Sequence, residues 1–171
     1  MIKKMLFSLL IISSLVYGKK INSKKIKVVP SILTIQPNAL NQYYVNVKIV
    51  VRNTKKKEIK YKKSYRFLVD TGATGNSIPY NVALEIFGKE FMKTLKFNQS
   101  FSTAGGNSYH SEPVYMDYYI GDLVVYSVKS SVMPKGIYQD TGLLGMGFIS
   151  QLDDFSIKKG VLTIKYDKYS Y

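Results

Sequence analysis

The sequence predicts a mostly β domain, a barrel or sandwich-like lobe carrying two short helices. Three observations predict it. About eight short runs alternate apolar with polar residues and are rich in β-branched and aromatic side chains. Gly, Asn and Asp clusters punctuate those runs. Helical spacing of apolar residues occurs in only two short places. At 171 residues and 46% hydrophobic, the chain has the size of one domain and enough apolar material for a core.

The elements follow in chain order. Residues 1–18 carry Lys3 and Lys4, then an apolar stretch from Leu6 to Val16, then Gly18. This is the pattern of a secretory signal, and the apolar stretch is short for a membrane span of ~20 residues. The protein is therefore expected to be exported, periplasmic or secreted, with an uncleaved N-terminal anchor as the alternative. Residues 19–38 hold Pro30 and Pro37, show little periodicity and are expected to form a basic linker or arm, leaving 39–171 as the folded domain. Strands are expected at 44–51, 58–69, 95–103, 114–120 and 123–133, with a closing hairpin around Lys158-Lys159-Gly160. A helix is expected from Pro79 to Phe87, stopped by Gly88, and another within 145–154.

The formal charge of +14 is unevenly placed. Fourteen Lys and Arg and one acid, Glu58, fall within residues 19–66. An anionic surface is one partner for such a region. A solvated tail and an edge strand guarded by lysines is the plainer account. The lysines lack the interleaved stacking residues of RNA readers, so no specific nucleic-acid partner is expected. The absence of cysteine excludes disulfides, thiolate metal sites and a thiol nucleophile. A single histidine, His110, excludes His-rich metal sites; it is expected on a surface strand without a catalytic role.

Chemistry concentrates at Phe67-Leu68-Val69-Asp70-Thr71-Gly72-Ala73. An apolar strand runs into a carboxylate where the chain must turn. Gly72 permits the turn, and the Thr71 hydroxyl and nearby amides are expected to orient Asp70. About seventy residues later comes Leu143-Leu144-Gly145-Met146-Gly147-Phe148. Between them lies a glycine-rich hairpin with Gly105, Gly106 and Asn107 at its tip.

These motifs, in this order, resemble the retropepsin-like aspartic proteases over roughly residues 40–166. The resemblance implies a single acid-protease lobe, closed and barrel-like, that pairs as a homodimer. It implies Asp70 as the catalytic residue, Thr71, Gly72 and Ala73 as its supporting loop, Gly105, Gly106 and Asn107 as a flap, and Leu143, Leu144 and Gly145 as the closing motif. It further implies an endopeptidase acting on extended polypeptide, with no cofactor and no metal. A non-catalytic peptide-binding lobe of the same fold, or a basic surface-adhering envelope protein, are the alternatives. A second triplet, Asp140-Thr141-Gly142, directly precedes the closing motif and is expected to be a loop. No apolar strand leads into it, and too little chain follows to build a second lobe.

Overall fold

Alternation along the strands closes a barrel. The structure, a computed structural model, describes residues 27–53, 56–103, 106–137 and 140–170. The expected signal segment and residues 19–26 of the expected arm lie outside them, as does Gly105. Among the described residues there are eleven strands and two helices. In order these are β1 (Lys27–Ile35), β2 (Tyr43–Asn53), β3 (Lys56–Val69), β4 (Asn76–Ile78), α1 (Tyr80–Thr94), β5 (Gln99–Thr103), β6 (Gly106–His110), β7 (Pro113–Ile120), β8 (Leu123–Val132), β9 (Thr141–Leu144), α2 (Met146–Ile149), β10 (Asp154–Lys158) and β11 (Val161–Ser170).

The barrel runs β2-β3-β9-β4-β8-β7. On β2, Val45, Val47 and Ile49 point inward while Asn46 and Lys48 face solvent, the period-2 pattern of a half-buried strand. β3 repeats it with Tyr65, Phe67 and Val69. The rings of Phe67 and Tyr118 meet at 5.5 Å in the centre, and Tyr118 in turn faces Phe148 at 6.5 Å. The Tyr118 hydroxyl is buried, so it needs a partner, and Ser130 Oγ supplies one at 2.7 Å. Gly121 and Asp122 make the two-residue turn expected between β7 and β8.

A separate sheet, β1-β11-β10, packs beside the barrel. Residues 27–35 were expected within the linker, and they form a strand instead. Val28 and Ile32 on its outer face are as apolar as Leu33 and Ile35 on its inner face, so no alternation is visible in the sequence. Pro30 is tolerated because β1 is an edge strand with one partner, β11. At the other edge, Lys159 and Gly160 both take positive φ, as a tight hairpin turn requires.

α1 begins after Pro79 and buries Val82, Ala83 and Ile86. Gly88 does break it, with φ 80° and ψ 165°, but a further turn follows and returns Met92 to the core. The strand expected from residue 95 begins only at Gln99; Leu95 and Phe97 pack on the core from an irregular segment. The second helix is shorter than expected, Met146–Ile149. β4 was not anticipated: three residues between Gly75 and Pro79 are too few to display a period.

Candidate active site

β3 ends at the turn that carries Asp70. β9 lies parallel to β3, pairing Phe67 with Gly142, Leu68 with Leu143 and Val69 with Leu144. The Asp70 amide extends that pairing by donating to the Leu144 carbonyl at 2.9 Å. The chain then folds back. The Ala73 amide donates to the Asp70 carbonyl at 3.3 Å, and the Gly72 amide donates to Asp70 Oδ1 at 2.8 Å. The carboxylate is thus oriented by its own turn, as Asp side chains commonly are. Thr71, expected to share that role through its hydroxyl, is exposed; the amide of Gly72 holds the oxygen. A Cβ at Gly72 would lie 3.2 Å from Oδ1, so a side chain there would crowd the group it orients.

The closing motif clamps this turn from the far end of the chain. β9 sits between β3 and β4, its Leu143 opposite Ser77. Leu144 is fully buried. A Cβ at Gly145 would fall 2.3 Å from the Gly75 carbonyl oxygen and 2.5 Å from that of Ala73, so only glycine lets the two segments approach. The Met146 amide donates to Ala73 O at 2.8 Å and the Gly147 amide to Thr74 O at 3.0 Å. Asn76 completes the clamp: its Oδ1 accepts from the Gly145 amide and its Nδ2 donates to the Lys129 carbonyl, both at 2.9 Å. Asn76 is 4% exposed. Sequence reasoning passed over it; the available signal was a polar side chain wedged between a glycine turn and an apolar strand.

Beside the turn stands a hairpin, the segment that the resemblance reads as a flap. Among the described residues, β5 and β6 pair only with each other, Thr103 with Gly106 and Ser102 with Asn107. Its base is held by Ser111, which is fully buried. The Ser111 amide donates to Val132 O at 3.0 Å, and Ser111 Oγ accepts from the Val132 amide at 2.9 Å. Between hairpin and turn lies an open cleft of about 830 Å³ lined by Asp70, Leu143, Met133, Phe101 and His110, with serine hydroxyls among them. His110 is therefore not a plain surface residue. It is half-buried on the cleft wall, its ring 5.1 Å from that of Phe101.

Asp140 is exposed and does not line the cleft. Its triplet is not a free loop either: Thr141 and Gly142 belong to β9. Among the described residues, no three His, Asp or Glu side chains gather closely enough to hold a metal ion.

The model of a family described as "gag-polyprotein putative aspartyl protease" matches residues 57–151, a span that holds the Asp70 turn, the hairpin and the closing motif. No curated protein matches the chain. Among solved structures, it is similar to a retropepsin-like aspartic protease from Rickettsia conorii, at 21% identity and a TM-score of 0.67. That likeness covers 85% of this chain and 98% of the other.

Proposed function

The chain belongs to the retropepsin-like aspartyl protease family, and from that premise we propose an exported endopeptidase whose active site two copies of the chain complete. One observation carries the second half of this reading: among the described residues that line the cleft, Asp70 is the single acid.

Hydrolysis of an amide by carboxylates needs two of them. Placed side by side they cannot both ionise, so the pair shares one proton. The ionised partner takes a proton from water as the water oxygen attacks the carbonyl carbon. The protonated partner gives its proton to the carbonyl oxygen. Collapse of the tetrahedral intermediate then returns a proton to the leaving amine. With Asp70 on an exposed turn, a two-fold axis through that turn brings a second Asp70 to the first. The substrate fits as an extended strand between the turn and the flap, where main-chain hydrogen bonds hold any sequence and pockets select among side chains. Residues 1–18 support export.

The test is cleavage of a mixed peptide library across pH 3–8, run at several protein concentrations beside Asp70→Asn. Expected are cleavage by the natural protein, none by the variant, and activity that rises more steeply than linearly with concentration. A protein that is monomeric by sedimentation at every concentration and still cleaves would overturn the shared site. Secretion of a reporter fused to residues 1–18 checks export; retention in the cytoplasm would overturn it.

A further inference from the structure

The wall of the cleft differs in chemistry from its floor, and His110 makes the difference. Its Nδ1 lies 2.8 Å from the Ser111 carbonyl oxygen. A carbonyl only accepts, so this contact assigns the proton of the neutral ring to Nδ1 and leaves a lone pair on Nε2. Among the described residues, Nε2 has no hydrogen-bond partner. The ring is also well fixed. Phe101 packs against it, and Ser111, whose carbonyl holds it, is itself pinned to Val132 through both amide and hydroxyl.

The cleft therefore presents a positioned acceptor beside apolar surface from Phe101, Met133 and Leu143. Among the described residues, no Lys or Arg lines it and Asp70 is its one acid, so a substrate carboxylate finds no opposing charge from them. A short hydroxyl side chain would be satisfied equally by the cleft serines. A side chain with a broad apolar body and a donor at its tip suits the surroundings best.

Resting on the protease reading, we infer that His110 is a specificity-determining residue, its Nε2 accepting a hydrogen bond from a substrate tyrosine hydroxyl near the scissile bond. A site that offers such a partner disfavours the isostere lacking it, because the acceptor is then dehydrated and unpaired. The expected preference is for tyrosine over phenylalanine by about three- to tenfold.

The experiment uses peptides whose scissile amide is reduced to an amine, in pairs that differ only as Tyr or Phe at one position flanking that bond. Binding to the full-length Asp70→Asn protein is measured by calorimetry at pH 8. The Tyr member is expected to bind about three- to tenfold tighter at one position. His110→Phe is expected to bring the Tyr-to-Phe ratio to about one, and His110→Gln, which keeps an acceptor, to restore part of it. Should the larger ring disturb the hairpin, His110→Ala gives the same reading. Equal affinities with His110 intact, or a preference that survives in both His110→Phe and His110→Ala, would overturn the inference. Absence of turnover with the binding preference intact would instead count against the hydrolysis reading alone.

Discussion

The chain contains Asp-Thr-Gly twice, and the two copies are used in opposite ways. Asp70-Thr71-Gly72 follows a strand, and its residues form a turn whose carboxylate faces a cleft. Asp140-Thr141-Gly142 leads into a strand, and its last two residues become part of the barrel wall. The first glycine leaves space around a carboxylate oxygen; the second leaves space for a ring, since a Cβ at Gly142 would lie 2.2 Å from Phe67 Cε1. Three residues thus acquire meaning from what precedes and faces them. A strand that delivers the carboxylate to an open end makes a site, whereas a strand that begins at the triplet makes core.

The largest effect should separate the two aspartates. Asp70→Asn keeps shape but cannot share a proton, so peptide hydrolysis should fall at least ~10²–10⁴-fold, the range typical of a lost acid–base group. Asp140→Asn alters an exposed side chain and should leave activity within about twofold and stability within ~0.5 kcal/mol. Equal losses in steady-state assays would dissolve the contrast. Asn76→Ala comes next, since it strands the buried Gly145 amide and the Lys129 carbonyl. Unfolding in urea should show a loss of about 2–4 kcal/mol, with activity lost alongside it.

The glycines sharpen the comparison further. Gly142→Ala forces a methyl into the Phe67 ring and should cost about 1–3 kcal/mol of stability, read as an unfolding midpoint. Gly72→Ala should do the reverse, sparing the midpoint while reducing kcat, because its methyl meets only the Asp70 carboxylate. The smallest effect concerns Tyr118, whose ring meets that of Phe67 over Gly142. Burial pushes the Tyr118 phenol well above its ordinary value, and the Ser130 hydrogen bond offsets this only in part. The folded state therefore keeps its proton where the unfolded chain, near pH 10, gives it up. Stability from this group is complete below pH ~10 and declines above it, by up to ~1.4 kcal/mol per pH unit. In Tyr118→Phe the urea midpoint should depend less on pH in that range; an identical slope would show that this phenol is not what titrates.

Much of this was legible in advance for a physical reason. β2, β3 and β8 largely bury one face, so their period shows in the sequence, and Gly121-Asp122 marks the hairpin between β7 and β8. The carboxylate turn was visible because an apolar strand ends on it. What stayed hidden were contacts between distant segments. β1 is apolar on both faces, β4 is too short for a pattern, and Asn76 and Ser111 derive their importance from partners 69 and 21 positions away. His110 was assigned to the surface because nothing local shows that β5 and β6 stand beside the turn.

The threading of β9 between β3 and β4 sets an order of events during synthesis. Asp70 leaves the ribosome well before the Gly145 amide that Asn76 awaits, 69 positions further on. Pairings of such separation form late, since the chain must lose the entropy of a long loop first. Until that last stretch arrives, the nascent chain carries its carboxylate on an unclamped turn, without Leu144, Met146 or Gly147 to hold it. The capacity to cut thus matures with the finished fold, and a chain stopped before residue 141 would carry the motif without the enzyme.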